Sequence, residues 1–159
     1  MTQQVIREMT LVRTFDAPRE LVFNAWTDEQ LLAKWWGPHG FTTPVSELDS
    51  RPGGKIHVVM EDAAGLIRKG SRYPMTGTFE EIDAPKRLVY TSSAIMDGKP
   101  IIESHNTVTF EVVDGKTKVT LYVAVTKAAP EAEAPLAGME IGWSQSLEKL
   151  ADLVRTEAR

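Results

Sequence analysis

The chain has 159 residues, of which 42% are hydrophobic and 25% charged, a composition that excludes disordered, collagen-like and fibrous proteins and fits one globular domain. Eighteen basic against 22 acidic side chains give a net charge of −4, the opposite of the clustered basic footprint of a nucleic-acid binder. There is no cysteine, which excludes disulfides, thiolate metal sites and a cysteine nucleophile together and suits a reducing cytoplasm.

Residues 1–9 contain Arg7 and Glu8 and no apolar core of a secretory signal, and no apolar run approaches the roughly 18 residues of a bilayer span. A cytoplasmic location without membrane insertion is therefore expected. No linker or repeat divides the sequence, so residues 1–159 are expected to form a single domain.

Residues 5–15 alternate in polarity and are rich in Val, Ile, Leu and Thr, which predicts a strand. Asp16-Ala17-Pro18 ends it, with Pro18 suited to the first position of a helix that carries Leu21, Val22, Ala25 and Trp26 at helical spacing. Thr27-Asp28-Glu29-Gln30 matches a capping box and predicts a second short helix, stopped by Gly37-Pro38. Six further strands are predicted at 42–49, 55–61, 72–82, 87–95, 101–113 and 116–126. The turns between them are short, and Asp114-Gly115 is a two-residue hairpin signal, so the sheet is antiparallel. From Pro130 the period changes: Leu136, Met139, Trp143, Leu147, Leu150 and Val154 mark one face of a single long helix. Gly138, Gly142 and Ser146 form a second stripe beside it, and two helical glycines cost roughly 1 kcal/mol each. Either another backbone approaches them closely or space is left for a guest.

Alternation sorts the strand residues by face. Val119, Leu121, Val123 and Val125 point inward, as do Val108, Phe110 and Val112, and Ile56, Val58 and Met60. His57 and His105 fall in the outward phase and His39 lies in a loop, so the histidines give no metal-ligand spacing and no triad. Glu61-Asp62 and Glu80-Glu81 sit beside turns as solvated charge. Arg51-Pro52-Gly53-Gly54 lacks the ending of a phosphate loop and makes the bend into the next strand. Tyr90, Ser92, Ser104 and Asn106 are polar residues in the inward phase, each of which needs a protein partner, a water or a ligand. Arg13 shares a phase with Leu11 and Phe15; an ion pair with an acid at the sheet rim is the plainer expectation, a ligand carboxylate the alternative.

Several motifs together carry a resemblance: Arg13-Thr14-Phe15-Asp16-Ala17-Pro18-Arg19-Glu20-Leu21-Val22-Phe23, Ala25-Trp26-Thr27-Asp28, Trp35-Trp36-Gly37-Pro38, Pro52-Gly53-Gly54, Leu88-Val89-Tyr90-Thr91, and the run from Gly142 through Trp143 to Leu150. In this order, and over nearly the whole chain, they resemble the activator of heat-shock protein 90 ATPase-like family of the START/Bet v-like (SRPBCC) superfamily. The resemblance implies an α+β helix-grip fold, in which a curved antiparallel sheet grips a long C-terminal helix and two short helices follow the first strand. It also implies a cavity for an apolar molecule, lined by Trp143 and Leu147 on the helix and Met60, Tyr90 and Phe110 on the sheet. Asn106 would add polarity there. Trp36 with Phe41 would form a gate, unless Trp-Trp-Gly-Pro is a helix end stapled into the core. The co-chaperone that names the family carries an additional N-terminal domain absent from this sequence, so chaperone activation is not the expected role.

The expected function is therefore a non-catalytic carrier of a small hydrophobic or amphipathic ligand, without cofactor or metal, as a monomer or homodimer. The alternatives are a co-chaperone-type interaction module, for which a chaperone would be the partner, and a cyclase- or hydrolase-type enzyme relying on Tyr90 and Arg13.

Overall fold

The computed structural model describes residues 5–158. The alternating opening segment is strand β1 (Arg7–Phe15), followed by helices α1 (Arg19–Thr27) and α2 (Glu29–Trp35). Pro18 precedes α1 as its N-cap instead of occupying the first helical position. Its ψ is extended at 146°, and its carbonyl accepts the first helical bonds from Leu21 and Val22. The cap of α2 is Asp28 and not Thr27: Asp28 Oδ1 accepts from the Gln30 and Leu31 amides at 2.9 and 3.1 Å. Thr27 is still the last residue of α1, so its hydroxyl bonds back to the Phe23 carbonyl.

Six strands follow: β2 (Phe41–Leu48), β3 (Lys55–Asp62), β4 (Arg72–Asp83), β5 (Arg87–Met96), β6 (Lys99–Val113) and β7 (Lys116–Ala128). They pair antiparallel in the order β1-β7-β6-β5-β4-β3-β2. The α1–α2 pair therefore carries the chain from one edge of the sheet to the other. Asp114 and Gly115 both adopt positive φ, 51° and 75°, as a tight hairpin requires. Register breaks at Thr42/Val45, Phe79/Glu81, Ala94/Ile95 and Glu103/Ser104 bend the strands and deepen the sheet's curl. Close approach at Gly77 contributes to the same bend, since a Cβ there would lie 2.0 Å from the Thr91 carbonyl oxygen.

The final helical segment is not one helix. A 3₁₀ turn (Pro130–Ala132) leads into α3 (Glu133–Ala137), and the chain breaks at Gly138 before α4 (Met139–Glu157). Pro135, inside α3, has no N–H to continue a ladder, and Gly138 leaves helical geometry with φ −93° and ψ 0°. Leu136 thus belongs to a separate short helix and only Met139 onward continues the stripe on α4. Apart from the adjoining α3, the backbone neighbours of α4 are α2, β1 and α1, so the helix leans on the helical pair and on the edge strand β1.

The solid core fills the end where the C-terminal part of α4 comes down. Leu147, Leu150 and Val154 are buried there with Val22, Phe23, Phe110, Val119 and Leu121. The inward phase of β7 is buried throughout, but Val112 on β6 is 60% exposed. It shares the phase of Phe110 and lies near the tip of the β6–β7 hairpin, beyond the cover of the helices. No helix among the described residues is long and apolar enough to cross a membrane.

Candidate functional site

All four tryptophans of the chain meet in one cluster. Trp26 packs against Trp35 at 4.7 Å and stacks on Trp143 at 5.8 Å, and Trp36 meets Trp35 and Trp143 at 5.6 and 5.2 Å. This cluster divides the interior. On one side lies the core, with Phe110 against Phe23 at 5.1 Å and against Trp26 at 6.3 Å. On the other, a cavity of about 670 Å³ opens between the palm of the sheet and the segment from α3 to the first half of α4. Its volume falls within the roughly 300–1,000 Å³ range of small-molecule sites, and its wall is predominantly apolar.

Five of the seven residues expected to contact a ligand line this cavity: Trp36, Met60, Tyr90, Asn106 and Trp143. Phe110 and Leu147 do not. They are 1% and 2% exposed and belong to the solid core, where Phe110 packs against Phe23 and Trp26. Phe41 joins Trp36 on the cavity wall, and Trp36 is also the extended C-cap of α2. Hydrogen bonds tie this corner to α4. Lys149 Nζ donates to the Gly37 carbonyl at 3.1 Å, and the His39 amide donates to Gln145 Oε1 at 3.1 Å. Partial burial lowers the Lys149 pKa from its ordinary value.

The glycine stripe resolves in favour of space. A Cβ on Gly142 would meet nothing within 4 Å, and one on Gly138 only the Ala134 carbonyl oxygen at 3.7 Å. Among the described residues no backbone approaches Gly142, and Gly138 meets only the preceding turn; both line the cavity, as does the buried Ser146. Met139, expected only on the apolar face of the last helix, lines the cavity together with Met75 and Met96, which no sequence signal marked. With Met60 they place four of the chain's six methionines on the wall.

The inward polar residues form one patch. Strands β5 and β6 pair Tyr90 with Asn106 and Ser92 with Ser104, and all four line the cavity. Asn106 Nδ2 donates to Ser92 Oγ at 3.0 Å and to the Tyr90 carbonyl at 3.3 Å. Burial pushes the Tyr90 phenol far above its ordinary pKa, so it remains a neutral hydroxyl. The charged member of the described wall is Glu131 at the rim, which Lys99 holds at 2.8 Å.

The other singled-out residues lie elsewhere. His57 and His105 are on the outer surface, paired with Glu47 at 2.9 Å and Glu80 at 2.7 Å, and His39 faces Glu148 at 3.4 Å. Arg13 is exposed on the edge strand β1, and its partners are the Val12 carbonyl and Ser144 Oγ on α4 instead of an acid. Asp62 overturns the expectation of solvated charge, for it is fully buried. Its two oxygens accept four backbone N–H bonds, from Gly65 and Leu66 at 2.9 Å, Ile67 at 2.7 Å and Arg68 at 2.9 Å. Burial alone would raise its pKa, but these four bonds together hold it below the ordinary carboxylate value. The loop so shaped carries Leu66 and Ile67, 65% and 73% exposed, and brings Ile67 to the cavity wall.

Solved structures share the overall fold. A protein from Chromobacterium violaceum superposes with a TM-score of 0.78 at 29% identity, covering 92% of this chain and 96% of that one. The AHSA1 protein from Silicibacter pomeroyi gives 0.76 at 27% identity, covering 95% and 99%. A protein from Nitrosomonas europaea gives 0.78 at 25% identity, covering 94% and 95%. Among curated proteins, none matches. Residues 16–155 match the sequence profile of the family described as "Activator of Hsp90 ATPase homolog 1-like protein". With that match spanning most of the sequence, and with a curved antiparallel sheet gripping its last helix, the chain belongs to the Activator of Hsp90 ATPase homolog 1-like family and has the helix-grip fold.

Proposed function

We propose that the protein binds a small apolar or amphipathic molecule between the sheet and α4, and carries or sequesters it in the cytoplasm without chemical change. The observation that carries this reading is the space at Gly142. A helix evolved only to close a core would gain about 1 kcal/mol from alanine there, at no steric cost. A glycine facing a hollow of about 670 Å³ instead keeps room for a guest. The apolar wall supplies the hydrophobic drive, and its methionines conform to irregular shapes.

The test uses native mass spectrometry of freshly purified protein and titration with Nile red, a neutral apolar dye. Gly142→Leu should fold as well as the parent, because its side chain enters open space, yet weaken dye binding at least about tenfold by filling the cavity. Trp143→Ala removes part of the wall and should also release any copurified compound. Full affinity in both variants would overturn the reading.

A further inference from the structure

We infer that the cavity selects guests whose polar end is uncharged, such as a hydroxyl, carbonyl or amide, and discriminates against an ionised carboxylate or phosphate of the same shape. This rests on the carrier reading of the cavity and goes on to the chemistry of the guest.

The polar patch on β5 and β6 is built and incompletely satisfied. Tyr90, Ser104 and Asn106 are 4%, 8% and 3% exposed, and all three line the cavity, so the little surface they keep opens to the guest's space. The two bonds made by Asn106 Nδ2 occupy both amide hydrogens, which leaves Oδ1 as an acceptor without a donor among the described residues. The Tyr90 and Ser104 hydroxyls likewise have no hydrogen-bond partner among the described residues, and both residues line the cavity. Ser92 Oγ accepts from Asn106 and retains its own hydrogen to donate. The patch therefore offers one fixed acceptor beside hydroxyls that donate or accept. A neutral group able to do both satisfies it.

An ionised head would be treated differently. Tyr90, Ser92, Ser104 and Asn106 include no cation, and the rim's Lys99 is already paired with Glu131 at 2.8 Å. Lys149 directs its ammonium to the Gly37 and Phe41 carbonyls. A buried carboxylate would lose its hydration and gain no counter-charge, whereas an alcohol replaces its lost waters bond for bond. The methionine-rich wall adapts to chain shape and discriminates it weakly, which leaves the head group as the main source of selectivity.

Decanoic acid and 1-decanol share a chain and differ at the head, so their competition against bound Nile red isolates this term. At about pH 8, where the acid is ionised, the alcohol should bind at least about tenfold more tightly. In Asn106→Leu and Tyr90→Phe that advantage should shrink by at least about threefold. A general loss of packing would weaken both competitors alike and leave their ratio unchanged. Equal affinities, or a tighter acid, in protein that binds the dye would overturn the selectivity and leave the carrier reading standing. Failure of the dye to bind at all would overturn both.

Discussion

Asp62 shows how much one carboxylate organises. Among the described residues no cation pairs with it; four consecutive amides of the following loop converge on its two oxygens. Because its folded pKa lies below the ordinary value, its contribution to stability is fully present above the unfolded pKa of about 3.9 and is lost as pH falls through the folded value. Hydrogen exchange at Gly65, Leu66, Ile67 and Arg68 should therefore be insensitive to this group at neutral pH and lose protection in acid, after correction for intrinsic exchange. In Asp62→Asn only one oxygen remains to accept, so protection at these amides should fall already at neutral pH. Unchanged protection in that variant would show that the loop holds itself. Since Ile67 is on the cavity wall, the same experiment reports on the cavity's edge.

Two glycines mark opposite uses of missing side chains in regular elements. In β4, Gly77 lets the chain pass so close to β5 that a methyl group would collide with the Thr91 carbonyl oxygen. Gly77→Ala should cost more than about 2 kcal/mol in urea unfolding, because backbone must shift to admit it. In α4, Gly142 meets nothing. Gly142→Ala should stabilise by about 0.5–1 kcal/mol through helix propensity and reduced unfolded-state entropy. A loss of stability there would mean that a backbone contact, and not a cavity, explains the glycine. The break between α3 and α4 belongs to the same scale. Pro135 and Gly138 end one helical direction and begin another, so the segment bends over the cavity instead of lying flat on the sheet.

The molecule as a whole is a core and a hollow separated by tryptophan rings. That division predicts unequal responses to truncation. Phe110→Ala, in the packed half, should lower stability by about 3–5 kcal/mol. Met60→Ala, on the wall of the hollow, should cost under about 1.5 kcal/mol and change dye affinity instead. Urea unfolding and Nile red titration of the two variants separate the halves. Comparable stability losses in both would mean that the cavity is as tightly packed as the core.

Local sequence signals were enough to set the strands, the first two helices and the face each strand residue takes, but not the break at Gly138 in the final helical segment. Period-two alternation set each strand close to its observed bounds, and Asp114-Gly115 required a hairpin, because both signals depend on a residue and its immediate neighbours. The outward histidines and the inward Tyr90, Ser92, Ser104 and Asn106 follow from the same local rule. Alternation says which face a side chain takes; it does not say how far away the covering helix stands. Only the tertiary structure decided that Phe110 and Met60, alike in phase, fall on opposite sides of the tryptophan cluster, that Leu147 is core while Gly142 one turn and one residue earlier faces open space, and that Asp62 is buried under amides from its own loop. Each outcome depends on where α4 and the loops come to rest across the sheet, a distance set by contacts between residues far apart in the chain.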